Sequence, residues 1–271
     1  RKLIVTDGKL SLGRCLLATV SIAILLFLLL PVFITIPISF SSGSFLSYPI
    51  DGFSLRWYER IFESKSWMSS LRNSLIAGFS SAALSTIIGT LAAIGLDRFD
   101  FRGKGFAAAL MIMPLAMPIV ITALGLYFWL ASLDFLYTYS GLIIGHTVLG
   151  APYVLITVSA NLRGFDWRLM RAAASLGASP GVATLTVMLP LLAPGILAGA
   201  IFAFIASFDD VVVALFITGP AQYTFPRQLF SGLRDQLDPS IIAASTLLTA
   251  FILGIMAVGE LVRLRNQRKS R

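Results

Sequence analysis

Apolar runs long enough to cross a bilayer recur six times in this chain, and a run of that kind has few ways to fold. Hydrocarbon offers no water to backbone N–H and C=O groups, so a stretch of about 20 apolar residues satisfies them within itself, as a helix about 30 Å long. The runs extend from about Cys15 to Phe40, Ser74 to Leu96, Gly105 to Leu133, Gly141 to Leu162, Leu191 to Thr218 and Ser240 to Leu261. Of the 271 residues only 13% are charged, against about 25% in a soluble domain. Mean hydropathy is +0.86, which excludes both a water-soluble globule and a disordered chain. The sequence therefore predicts an all-α integral membrane protein.

Orientation follows from where the bases fall, because cytoplasmic segments retain the Lys and Arg excess. Fifteen of the 21 basic residues lie in alternate segments: Arg1, Lys2, Lys9 and Arg14; Arg98, Arg102 and Lys104; Arg163, Arg168 and Arg171; Arg263, Arg265, Arg268, Lys269 and Arg271. The opposite set holds Arg56, Arg60, Lys65, Arg72, Arg227 and Arg234. Both termini are expected in the cytoplasm. The net charge of +8 is spread between apolar runs and describes topology, with no surface for nucleic acid. The first run is read as a retained helix, since its apolar core exceeds the 7 to 15 residues or so of a cleaved leader.

One Cys, Cys15, and one His, His146, leave no internal disulfide and no Cys/His metal cluster. His146 is expected to be a hydrogen-bonded packing residue. Pro114 and Pro118 in the third run each remove a helix hydrogen bond, either as a kink beside a pathway or as a packing distortion. Gly141 with Gly145, and Gly195 with Gly199, have the spacing that lets helices approach closely.

The segment from Arg163 to Pro190 is more than a connector. Leu169, Met170, Ala172, Ala173 and Leu176 favour a short helix. Gly177, Ser179, Pro180 and Gly181 break it, and a second helical stretch runs from Val182 to Leu189. The expectation is a helix, a bend and a helix at the membrane surface, either an amphipathic connector or a knob that a partner grips.

Ala172-Ala173, Gly177 four residues later, and Val187-Met-Leu-Pro190 resemble the cytoplasmic loop motif of permease subunits in binding-protein-dependent ABC importers. Ser207-Phe-Asp-Asp-Val-Val-Val, Phe216-Ile-Thr-Gly-Pro, Thr224-Phe-Pro, Asp238-Pro-Ser, Phe53-Ser-Leu-Arg-Trp-Tyr and Asn73-Ser-Leu75 resemble its spermidine/putrescine branch. Branches for other small solutes share these motifs. The resemblance spans nearly the whole chain. It implies one permease domain over residues 1–271, with the six-transmembrane-helix type I importer fold and coupling helices between the fourth and fifth spans. It also implies an inner-membrane complex with cytoplasmic ATPase subunits, a second permease and a periplasmic substrate-binding protein. The loop motif usually opens with Glu where this chain has Arg171, so the charge facing the ATPase is reversed. Arg171, Ala172, Ala173, Gly177, Ala178 and Ser179 are the implied ATPase-coupling residues.

No Gly-x4-Gly-Lys-Ser/Thr phosphate loop occurs, so ATP and Mg are assigned to the partner ATPase and no cofactor to this chain. Asp209 and Asp210 sit in an apolar run, where a carboxylate is costly and faces protein or water. Either one lines the solute pathway and attracts a cation such as a polyamine, or the acids pin neighbouring helices. Tyr127, Phe128 and Trp129 are read as a cavity wall for alkyl amines or as interface anchors. The polar side of the Trp57 to Trp67 stretch is a contact for the binding protein or a solvated helix. A channel or secondary transporter would not need the Ala-Ala-x3-Gly elbow, and a membrane enzyme would need a catalytic constellation that is not evident.

Overall fold

The computed structural model describes residues 12–43, 49–235 and 239–269. Arg1, Lys2, Lys9, Asp238 and Arg271 lie outside them. Twelve α-helices follow in order among the described residues: α1 Leu12–Ser39, α2 Arg56–Glu63, α3 Lys65–Arg98, α4 Lys104–Ala116, α5 Ile119–Ser132, α6 Tyr139–Leu162, α7 Arg168–Ser175, α8 Pro180–Ala183, α9 Leu189–Phe208, α10 Val212–Ile217, α11 Phe225–Asp235 and α12 Ser240–Lys269. No strand forms among them beyond one isolated bridge between Ser41 and Phe53.

Five helical segments are long and apolar enough to cross a membrane, or six if the bent pair α4 and α5 is one span. The run from Gly105 to Leu133 is thus not one continuous helix: the chain turns by 110° between α4 and α5. Pro118 has no N–H to continue α4, and the residue before a proline is driven out of the helical region. Met117 accordingly takes an extended conformation, φ −83° and ψ 146°. Pro114 stays inside α4.

At the centre, α3, α6 and α9 pack against one another. Lipid is as apolar as a protein core, so such helices associate through close packing and polar contacts. The buried face of α3 is made of small and polar residues, including Ser74, Ala77, Gly78, Ser81, Ala82, Ser85, Gly89 and Ala93. Val154 of α6 fills the space between two glycines. A Cβ at Gly89 would lie 2.6 Å from Val154 Cβ, and one at Gly199 of α9 would lie 2.8 Å from Val154 Cα. Of the two spaced glycine pairs, Gly195 and Gly199 both face α6, through Asn161 and Val154. Gly141 instead abuts the Phe135 carbonyl and Gly145 the side chain of Ile217.

Loop 219–225 is hydrogen-bonded to α3. The Asn73 amide donates to the carbonyls of Ala221 (3.0 Å) and Tyr223 (2.9 Å) and accepts from the Tyr139 hydroxyl (2.7 Å). Ser74 Oγ accepts from the Phe225 amide at 2.8 Å. Two motif segments far apart in sequence, Asn73-Ser-Leu and Thr224-Phe-Pro, therefore meet. The Trp57 to Trp67 stretch is split: α2 buries Trp57 and Ile61, while Ser64 caps α3, in which Trp67 packs on Phe225. By contrast, α1 exposes large apolar side chains along its length, among them Leu25, Phe27 and Phe33.

Candidate functional site

The elbow begins with α7, and its end explains the Ala-Ala-x3-Gly spacing. Gly177 has φ +86°, a conformation that costs L-residues with a Cβ. The Gly177 amide donates to Ala174 O at 3.0 Å and the Ala178 amide to Ala173 O at 3.1 Å, the paired bonds of a Schellman helix stop. Nothing lies within 4 Å of a Cβ built at Gly177, so backbone conformation, and not crowding inside this chain, calls for glycine.

Ser179 then starts the second limb, its hydroxyl accepting from the Val182 amide at 3.4 Å, with Pro180 in the first turn. This limb is not a separate surface helix. Helical structure runs unbroken from Pro180 to Phe208, through a π-helical turn over Thr184–Met188. Pro190 accounts for the widening: its ring would clash with the Thr186 carbonyl four residues back in regular α-helix. The Leu189 amide bonds Thr184 O, five residues back.

Leu176 at the elbow tip is 89% exposed, and Arg171, Ala172, Gly177 and Ser179 are exposed around it. Ala173 and Ala178 are half-buried. The base of the elbow is tied to α3, with Trp167 Nε1 donating to Asp97 Oδ2 at 3.1 Å. Phe165 packs edge-on against Trp167 at 5.2 Å.

The fifth apolar run also breaks. α9 stops at Phe208, and Asp209 and Asp210 occupy the gap before α10. The two acids diverge. Asp210 is 7% exposed, and its carboxylate accepts from the amides of Val213 (3.3 Å) and Ala214 (2.9 Å), capping α10. At the other end of α10, Arg227 donates to Ala214 O at 3.3 Å and to both oxygens of Thr218, with its guanidinium over the Tyr223 ring at 3.9 Å. This arrangement complements the helix dipole. Ser207 and His146 complete the surroundings of Asp210: His146 Nδ1 lies 2.6 Å from Ser207 Oγ and Nε2 3.5 Å from Asp210 Oδ2. His146 is thus a hydrogen-bonded packing residue.

Asp209 is exposed and, with the largely buried Asp210 beside it, lines an open cavity of about 590 Å³. The cavity wall includes Pro114, Met117 and Ile119 from the α4–α5 break, Tyr153 from α6 and Phe202 from α9. The Tyr153 and Phe202 rings are 6.4 Å apart and nearly parallel. No Lys or Arg lines it among the described residues. Tyr127 and Trp129 are not in its wall: Tyr127 is half-buried against Phe128 and Trp129 is 49% exposed on α5. Sequence reasoning missed Tyr153 and Phe202. The signal for Phe202 was its helical spacing with Asp209, since Phe202 and Ile205 share one face of α9 and Asp209, just past its end, still bonds back to Ile205 O.

Comparison with known proteins agrees with this architecture. The chain is 32% identical over 251 residues to the spermidine/putrescine transport system permease protein PotC of Escherichia coli K12, covering 93% of this chain and 95% of that one. It is 34% identical over 251 residues to the putrescine transport system permease protein PotI of the same organism, covering 89% of each. The fold matches a crystal structure of a bacterial ABC transporter involved in import of the acidic polysaccharide alginate, with TM-score 0.69, 16% identity, and coverage of 95% of this chain and 99% of that one. Residues 85–269, from the middle of α3 to the end of α12, match the model of the binding-protein-dependent transport system inner membrane component, and the chain belongs to that family.

Proposed function

We propose that this permease subunit forms half of the pathway by which a polyamine or related small organic cation enters the cell, and that its elbow receives the work of ATP hydrolysis. The observation that carries the cationic reading is the Asp209 carboxylate, exposed in a 590 Å³ cavity with aromatic Tyr153 and Phe202 and without a lining Lys or Arg among the described residues. An ammonium group entering there meets an anion and two aromatic rings, both of which attract it. The volume suits a small solute, within the range of about 300 to 1,000 Å³ common for such sites. The names of PotC and PotI support the same substrate class.

Energy enters from outside the chain. ATP and Mg are bound by cytoplasmic ATPase subunits, and solute arrives from a periplasmic binding protein and passes between this chain and a second permease. The ATPases grip the elbow formed by Arg171, Ala172, Ala173, Gly177, Ala178 and Ser179. The helix unbroken from Pro180 to Phe208 leads from the elbow to the Asp209 cavity and transmits the movement. With both termini cytoplasmic, the elbow faces the ATPases and Asp209 lies toward the periplasmic end of its span. The charge reversal at Arg171 calls for an acidic or neutral counterpart on the ATPase.

The test is spermidine uptake by proteoliposomes containing the reconstituted complex. Asp209→Asn raises the KM for spermidine while the binding protein alone keeps its affinity. Unchanged uptake kinetics overturn the pathway role.

A further inference from the structure

His146 is wholly buried, and its Nε2 has no hydrogen-bond partner, although Asp210 Oδ2 is 3.5 Å away. A buried ring nitrogen left in that state is costly, and chemistry selects between the two neutral tautomers. With the proton on Nδ1, the Nε2 lone pair would face an anionic carboxylate. With the proton on Nε2, the N–H points at Asp210, and the Ser207 hydroxyl, 2.6 Å from Nδ1, donates to the free lone pair. The second form gives each group a complementary partner.

The order of contacts differs from a hydrolytic triad. Here Ser207 meets Nδ1 and the acid lies nearest Nε2, and Ser207 is only 3% exposed, so no substrate reaches the hydroxyl. The chain of three instead joins α6, the last turn of α9 and the break after it. Asp209 sits between two anchors: Phe208, 1% exposed and packed on Phe251 at 4.8 Å, and Asp210, held by two amides and His146.

We infer that His146, as the Nε2–H tautomer, is a positioning residue: with Ser207 and Asp210 it fixes the α9–α10 break so that the Asp209 carboxylate points into the cavity. This rests on the pathway role proposed for Asp209. Other charged groups do not replace it, because Arg227 engages the opposite end of α10.

The experiment measures radiolabelled spermidine uptake by the reconstituted complex, with assembly checked by co-purification. His146→Leu is expected to raise KM about tenfold, the scale of one lost buried polar contact. His146→Gln, whose amide reaches the Nε2 position and can donate, restores KM to within about threefold of the parent. The double variant His146→Leu/Asp209→Asn is no worse than Asp209→Asn alone, since both act through one carboxylate. Multiplying losses would overturn the positioning role while leaving the pathway role intact. An Asp209→Asn variant with parental kinetics would overturn both. His146 is the only histidine of the chain, so 15N-histidine labelling of this chain, assembled with unlabelled partners, reports the tautomer directly even where the Leu variant fails to assemble. Protonated Nε2 with free Nδ1 supports the inference, and the reverse refutes it.

Discussion

Trp167 Nε1 donates to Asp97 Oδ2 at 3.1 Å, joining the base of the elbow to the end of α3 across 70 residues of sequence. The contact sets the elbow against the central bundle. Trp167→Phe keeps the ring and removes the donor, at a net cost of about 1 kcal/mol, which is about a fivefold shift in a two-state equilibrium. Uptake per ATP hydrolysed is expected to fall by up to that factor while the complex still assembles. Parallel assays of spermidine uptake and phosphate release check it.

Gly177 separates backbone strain from partner contact. Its φ of +86° penalises any Cβ, yet the surrounding space is open. Gly177→Asn, which tolerates left-handed backbone, retains most uptake. Gly177→Ala costs about 1 to 2 kcal/mol of local stability and reduces uptake partially. Gly177→Trp abolishes uptake in an assembled complex because bulk blocks the ATPase. Equal effects of Ala and Trp would mean that strain alone matters.

The two acids are expected to fail differently. Asp210→Ala removes a carboxylate that caps α10 and lowers thermal stability of the purified chain, with a capping loss of about 0.5 to 2 kcal/mol. Asp209→Asn leaves thermal stability within about 0.5 kcal/mol, as exposed sites do, and impairs uptake. Melting curves in detergent alongside transport kinetics distinguish them.

Close packing around Val154 gives a compensation test. Gly89→Ala introduces a Cβ 2.6 Å from Val154 Cβ and destabilises the bundle by about 1 to 3 kcal/mol through overpacking. Val154→Gly in the same chain removes the clashing Cβ, while the Ala151 carbonyl at 2.9 Å remains, so it recovers part of the overpacking loss, a non-additive pair in a double-mutant cycle.

Much of this architecture was legible because hydropathy and proline act locally. The six apolar runs mark the helices, and the resemblance carried by Ala172, Ala173, Gly177 and Leu189-Pro190 located the elbow. The breaks were harder to read. Pro118 announces a disrupted helix, but whether it gives a gentle kink or a 110° turn is set by the neighbours. The stop at Phe208 depends on Asp210 bonding amides three and four residues ahead, a local choice that an apolar count ignores. Read as one apolar run, Leu191 to Thr218 left open whether an acid lines the pathway or pins neighbouring helices. In the structure both line the cavity, but Asp210 is tied up capping α10 while Asp209 is the exposed acid. The buried face of α3 was visible in principle as a stripe of Ser, Ala and Gly at helical spacing, the reverse of the soluble pattern. The pairing of Asn73 with the carbonyls of residues 221 and 223 is long-range and has no local signature.

The central claim is that the elbow is where a nucleotide hydrolase grips this chain, and cross-linking tests it most directly. Leu176 is 89% exposed at the tip, and Cys15 is the only cysteine, so Leu176→Cys in a Cys15→Ser background gives one reporter thiol. Photo-cross-linking from that thiol in the assembled complex is predicted to capture an ATPase subunit, with a yield that changes between nucleotide-free and ATP-bound states. No capture of an ATPase subunit in any nucleotide state, from a complex that still imports spermidine with ATP, would contradict it.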